Sequence, residues 1–417
     1  MMDELRLGEL SARTGLSGTE TGQQKAPLDT ETGIVPLLLY ADGYKFPDVY
    51  HLTRFLAPDP IIALEQGSEI VIVANSLEEG RARKESRATT VLNQNEFGLR
   101  ELSGAGLTGD ELIANLIKNF LDSRKITRVA VPPYFFLGLA DRLRGMGVDL
   151  VVASDIVSRR RAKRPDEIAA LEATQRATED AWGRGVDAIK RAKVGTDGTL
   201  ELDGEVFTSE RLRAIVEGRL LELGCVSEGA ILAPGPQAAD PHMIGTGPLR
   251  AKQAIVMDIF PQHKATRYYA DMTRTVSKGE PEAEILKMYE VVKRAQDAGI
   301  KALRPGVTGR AVHELVEDII FEAGYDTLRP GQQHGPSRNG ELPRGFIHGT
   351  GHGVGLEIHE APSVGRGGNK PLAPGDVVTV EPGVYDPEIG GVRLEDMLVI
   401  TENGSRNLTR APRQLII

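Results

Sequence analysis

A single cysteine, Cys225, stands among 417 residues. That excludes an intrachain disulfide framework and fits a reducing compartment. No run of about 18 apolar residues occurs, so no segment reads as a membrane-spanning helix. The opening stretch, MMDELRLGELSARTGLSGTETGQQ, lacks the apolar centre of a secretory signal. An excess of positive charge is missing too: 50 Lys and Arg against 59 Asp and Glu give a formal charge of -9 and a pI near 5.6. This balance argues against nucleic acid or an anionic membrane as the main partner. No short-period repeat is visible. What remains, with 40% hydrophobic and 26% charged residues, is the composition of a globular cytoplasmic protein long enough for two domains.

Residues 1–32 are polar, rich in Thr, Gly and Glu, and read as a weakly docked arm. Residues 33–158 read as an α/β domain. IVPLLLY, PIIAL and EIVIVA are short β-branched runs bounded by turn residues, the mark of buried strands. GDELIANLIKNFLDS sets Leu112, Ile113, Leu116, Ile117 and Phe120 on one helical face. The run RRRAKR, starting at Arg159, reads as a solvated connector. Pro165 and Asp166 then open a helix. The remainder, within 159–417, pairs long amphipathic helices with antiparallel hairpins, which indicates an α+β domain.

Two of these hairpins carry carboxylates in unusual places. In AIVMDIFPQHKATRYYADMTRTV, a symmetric turn centred between Lys264 and Ala265 would set Asp258 directly opposite Asp271. Opposed like charges about 5 Å apart destabilise a sheet unless a cation lies between them. In VVTVEPGVY and GVRLEDMLVI, Glu381 ends an apolar strand, and Glu395 returns on the same face as Arg393. A buried ionised Glu is costly without a partner, and Arg393 offers Glu395 a structural one. Two such hairpins together favour metal binding.

Three of the eight histidines, His348, His352 and His359, fall in FIHGTGHGVGLEIHE with four glycines between Gly349 and Gly355. Glycine lets backbone pass close to a crowded centre. A phosphate cradle is a poor reading, because no Gly-Lys-Ser/Thr follows and the G-x-G-x-x-G spacing fails. Four carboxylates and an imidazole suit a pair of divalent ions such as Mn or Co better than thiolate-type zinc, although Zn remains compatible.

In this order, Asp258, ADMTRT, HGTGHGVGLEIHE, TVEPGVY and GVRLEDMLVIT resemble the signature of the pita-bread metallopeptidases, in particular the prolidase and X-Pro aminopeptidase branch. The resemblance implies a creatinase-like N-terminal α/β domain followed by an α+β pita-bread domain. It implies Asp258, Asp271, His352, Glu381 and Glu395 as ligands of two ions, with Asp271 and Glu395 bridging them. It implies His242 and His359 at the scissile group, and Glu381 as proton shuttle for a metal-bridging hydroxide. Arg393 joins the substrate-binding set, while His348, Tyr269 and Thr273 support the ligands. The implied substrate is a short proline-containing peptide, and the implied assembly a homodimer.

Departures from the pattern qualify this. Phe260 replaces a glycine after the first ligand. Residues 325–345 form a long Gly/Pro-rich loop, read as a substrate gate. Ser363 stands where some prolidases carry an Arg for the substrate carboxylate, with Arg366 beyond it. Alternatives are a methionine-aminopeptidase-like enzyme and a metal-free pita-bread module that only binds peptides.

Overall fold

The computed structural model describes residues 35–329 and 344–417. The expected polar arm and most of the expected gate therefore lie outside the described residues. The chain divides into two compact units, parting between Arg160 and Arg161.

In the first unit, a six-stranded mixed sheet runs in the order Thr90–Asn93, Glu69–Ala74, Ile61–Gln66, Leu37–Ala41, Arg128–Val131, Asp149–Val152. Strand alternation splits the apolar side chains between its two faces. Leu38, Ile62, Leu64, Val71 and Val73 pack with Leu116, Ile117 and Phe120 of helix Gly109–Ser123. Leu37, Leu39, Ile61, Ala63 and Ile72 face a second core with Val49 and Phe55. With both faces covered, the strands read as continuous apolar runs.

In the second unit, Ile231–Pro234, Ile255–Ile259 and Met272–Val276 form an antiparallel sheet. A five-stranded sheet follows the order Glu360–Val364, Gly351–Gly353, Val377–Val380, Asp396–Thr401, Gly404–Asn407. Helices Pro165–Arg191, Ser209–Glu222, Ala283–Ala302 and Gly309–Glu322 cover these sheets. Thr208 and Thr308 cap two of them by accepting the N–H of Arg211 and Ala311. Helix Ala283–Ala302 approaches the Glu381 strand closely: a Cβ on Gly299 would meet Val380 at 3.0 Å.

Two expectations need correction. Asp258 pairs with Thr273 rather than Asp271. The turn is centred one residue later than a symmetric reading gives: His263 and Tyr268 close it by backbone bonding, and Arg267 takes a left-handed conformation, φ 63°. A one-residue move of the centre slips the register by two, which preserves the faces, so Asp258 and Asp271 still point the same way. The basic run is not a solvated connector either. Arg160 pairs with Asp48 with both side chains buried, and Lys163 pairs with Glu360 with both buried. Arg161 binds Asp376 through two nitrogens. Each cation finds a carboxylate distant in sequence, which a local reading of charge cannot anticipate.

Candidate metal centre

The two carboxylate hairpins meet at one cavity of about 530 Å³, lined by Asp258, Asp271, Glu381, Glu395, His242, His348, His352, His359 and Arg393, with Ile231, Phe260 and Ile358 among its apolar walls. Strand Val377–Val380 pairs with Asp396–Thr401, and Gly383–Asp386 pairs with Gly390–Arg393, in one shared register. Extended across the break between these ladders, that register sets Glu381 across from Glu395. Pro382 follows Glu381 and has no N–H for a ladder bond, which suits it to the break. Both carboxylates therefore stand where neither strand pairs regularly.

His352 comes from the strand Gly351–Gly353, which is wedged between two others. A Cβ at Gly351 would lie 2.1 Å from Thr379 O, so only glycine permits this approach. The imidazole Nδ1 lies 3.1 Å from Gly353 O. A carbonyl only accepts, so Nδ1 carries the proton. Nε2 then presents a lone pair, 3.5 Å from Asp271 Oδ2 and 3.4 Å from Glu381 Oε1. Burial holds the His352 pKa below its usual value, which keeps the ring neutral. Three groups that accept when deprotonated face one another, an arrangement that suits a cation.

The electrostatics agree. Burial, reinforced by Glu395, Asp258 and Glu381, drives the Asp271 carboxyl well above the usual carboxylate range. Burial and the neighbouring Glu381 and Asp258 do the same to Glu395. Glu381 is pushed up to about 7, chiefly by burial, against the opposing pull of Arg393. Asp258 Oδ1 and Glu395 Oε1 are buried without a hydrogen-bond partner. Ligand atoms of Asp271, His352 and Glu395 all lie within 4.8 Å of one another, a spacing that suits a bound ion. Unpartnered buried oxygens and a neutral imidazole are the donor set that a divalent cation satisfies.

Supporting contacts fix these groups. Thr273 donates from its hydroxyl to Glu395 Oε2 at 2.8 Å. Arg393, buried, donates to Asp258 Oδ2 at 2.7 Å and to the Tyr385 hydroxyl at 3.0 Å. His348 does not face the carboxylates: its Nδ1 lies 2.7 Å from Gly349 O and its Nε2 2.8 Å from the Tyr385 hydroxyl. Burial and Arg393 push its pKa down to about 3, so it is a neutral prop. The hydrogen bond expected from Tyr269 to the ligands is not formed. Its phenol is raised by burial and by Glu228, and its backbone N–H holds Gly355 O instead. Tyr385, overlooked in the sequence, links Arg393 to His348. Its signal was present, because it follows Glu381 by four residues within TVEPGVY.

His359 stacks edge-on against His352, centroids 4.3 Å apart, and burial lowers its pKa. His242 is exposed at the rim, its N–H bound to Asp240 Oδ1 at 3.0 Å. Ser363 and Arg366 are not among the described residues lining the cavity. Arg366 is held by Glu317 at 2.5 Å.

The model of metallopeptidase family M24 matches residues 169–402, more than half of the chain and all of the ligand-bearing hairpins. The chain belongs to metallopeptidase family M24. This M24 chain is 32% identical over 295 residues to the "Probable dipeptidase PepE" of Mycobacterium tuberculosis, covering 69% of this chain and 68% of that protein. It is 36% identical over 187 residues to the Xaa-Pro dipeptidase of Pyrococcus furiosus, covering 45% of this chain and 48% of that one. Among solved structures, the X-Pro aminopeptidase of Thermotoga maritima aligns with a TM-score of 0.72 at 24% identity, over 92% of this chain and 97% of that one. The prolidase of Pyrococcus furiosus aligns with a TM-score of 0.69 at 25% identity, over 91% and 97%. The expected architecture, an α/β unit followed by a pita-bread metallopeptidase domain, is the one shared with these structures. As an M24 peptidase the chain is a hydrolase that uses divalent metal.

Proposed function

We propose that this M24 peptidase hydrolyses the bond between an N-terminal residue and proline in short peptides, with two divalent ions per chain. The observation that carries this reading is the cluster of four carboxylates around an imidazole lone pair, in a chain similar to proteins named Xaa-Pro dipeptidase. Asp258, Asp271, His352, Glu381 and Glu395 would hold the ions, with Asp271 and Glu395 serving both. Their oxygen-rich set favours Mn or Co. Bound there, the ions supply Lewis acidity that makes hydroxide available at neutral pH.

The chain's own residues do the rest. Glu381, whose carboxylate lines the cavity, is suited to accept a proton from the attacking water and return it to the leaving nitrogen. A prolyl nitrogen has no N–H, so the proton delivered on leaving is its first. His359 and His242 line the cavity and would donate to the substrate carbonyl as charge develops on it. Arg393 pins one oxygen of Asp258 and leaves the other for a ligand. Apolar Ile231, Phe260 and Ile358 offer the pyrrolidine ring a dry wall.

The single cysteine supports a reducing, cytoplasmic setting, and a homodimer is inferred as the assembly. The test is hydrolysis of an Xaa-Pro dipeptide, an Xaa-Pro tripeptide and a Met-initiated peptide with Mn or Co added. Cleavage of the Xaa-Pro bond is expected. Cleavage of the Met-initiated peptide alone overturns the specificity, and binding without turnover overturns the enzyme reading. Metal analysis checks for two ions, and light scattering for a dimer.

A further inference from the structure

We propose that Lys163 is a positioning residue for the catalytic site, acting on His359 through the carboxylate of Glu360. Lys163 lies two residues into the second unit, nearly two hundred residues before the site it serves. Its backbone N–H binds Gly375 O at 3.0 Å. Its ammonium reaches Glu360 Oε1 at 2.5 Å with 2% and 1% of the two side chains exposed. Two flanking links fasten the same segment: Arg161 to Asp376, and Glu167 to the Tyr268 hydroxyl at 2.5 Å.

The carboxylate that Lys163 holds is built into the floor of the histidine loop. Glu360 begins a strand and pairs with Gly353, the residue after His352. Strand alternation sends its side chain away from the cavity, while His359, one residue earlier, faces into it. The carboxylate lies directly beneath Gly355, where a Cβ would sit 2.3 Å from Oε1. Gly355 O in turn accepts the N–H of Tyr269, two residues before Asp271. Glu360 is therefore the point where the loop from His352 to His359 rests on the interior. Its register is fixed by a cation brought from the unit boundary.

A buried ion pair is poor evidence for added stability, because desolvation of both charges offsets their attraction. Its better-attested use is to fix one arrangement among several, and here the arrangement fixed is that of an imidazole at the cavity. A displacement near 1 Å in such a group costs on the order of 100-fold in rate.

This inference rests on the proposed role of His359, and the test separates the two. In metal-loaded, full-length enzyme, Lys163→Met is expected to keep its metal while kcat on an Xaa-Pro dipeptide falls roughly 10- to 100-fold with KM little changed. That split marks an interaction realised in the transition state. In a His359→Ala background, Lys163→Met is expected to cost nothing more, because its effect passes through the missing ring. Lys163→Met/Glu360→Gln removes the buried charge that Lys163 balanced and is expected to regain Tm without regaining kcat. Recovery of kcat together with Tm, or independent multiplication of the Lys163 and His359 losses, would show a purely structural pair and overturn the inference. Normal kcat in Lys163→Met with a slow His359→Ala overturns the inference alone. Normal kcat in His359→Ala removes the imidazole from the reaction and takes the inference with it.

Discussion

The second unit buries carboxylates in two different ways. Glu360 has Lys163, Asp396 has Arg274 and Asp376 has Arg161, each at 2.7 Å or closer. At the cavity, among the described residues, Asp258, Asp271, Glu381 and Glu395 share a single buried cation, Arg393, which bonds only Asp258 among them. The same residue types are balanced in one place and left in excess in the other. Where the fold needs only structure, it supplies the counter-charge from its own side chains. Where it leaves three carboxylates over, the counter-charge must come from solution.

The sharpest way to break this comparison is to remove a member of the unbalanced set. Asp271→Ala is expected to lose both ions and fall to background activity while remaining folded, and His352→Ala to lose mainly one. Two ions retained in Asp271→Ala by metal analysis would dismiss its shared role. Glu381→Gln is expected to lower kcat about 10²- to 10⁴-fold, the range for a positioned acid–base group, while a substrate analogue still binds. Near-normal kcat would remove Glu381 from proton transfer.

Removing a member of the balanced set should act on stability instead. Arg274 donates to Asp396 at 2.7 Å, to the backbone oxygens of Thr273 and Glu395, and to Ala411 O and Pro412 O. It therefore ties the two ligand-bearing strands to the C-terminal segment. Arg274→Met leaves Asp396 buried and without its cation, at a cost of about 3–5 kcal/mol. Denaturant unfolding of the metal-free protein measures it. By contrast, Asp271→Asn should raise the stability of the metal-free protein, because it discharges an uncompensated site. A loss there would mean the cluster is internally satisfied.

How far the sequence revealed this contrast can be argued residue by residue. The unbalanced set was legible, because its members sit in short motifs where a carboxylate interrupts an apolar strand and the period-2 alternation tells which way it points. Even a turn centre misplaced by one residue left Asp258 and Asp271 on one face. The balanced set was illegible. Nothing local to RRRAKR says that Lys163 meets Glu360 or that Arg161 meets Asp376, since those partners lie about two hundred residues away and the pairing exists only in the packed state. Tyr269 was misjudged for a related reason: it lies before the regular strand Met272–Val276, where alternation no longer tells which way a phenol points.

A smaller effect sharpens the comparison by pH. With its folded pKa near 7 and an unfolded value near 4.3, Glu381 binds more proton in the folded than in the unfolded state between those values. Stability of the metal-free protein therefore falls as pH rises through that window. The Tm of metal-free wild type, compared with metal-free Glu381→Gln, should lag further behind at pH 7 than at pH 4.5. Added Mn should reverse the trend, since its binding requires the deprotonated carboxylates. A Tm gap independent of pH would show that Glu381 does not titrate there.

The smallest effect concerns the substrate's far end. An enzyme limited to dipeptides must read the carboxylate that follows proline, and an arginine fork is the side chain best shaped for it. Arg366 was one of the sequence's two candidates, beside a residue of the 325–345 loop, yet it belongs to the balanced class: Glu317, 3% exposed, holds its guanidinium at 2.5 Å. Freeing it would leave Glu317 with the longer 3.6 Å pairing to Arg329, so pairing with Glu317 competes directly with pairing to substrate. Ser363 offers no charge at all. We therefore expect kcat/KM for an Xaa-Pro dipeptide to exceed that of its C-terminal amide by less than about tenfold, below what one charge-assisted contact of about 1.5–3 kcal/mol supplies. Arg366→Ala should then change Tm rather than this ratio. A ratio near a hundredfold that collapses in Arg366→Ala would place the arginine on the substrate and make the enzyme a strict dipeptidase.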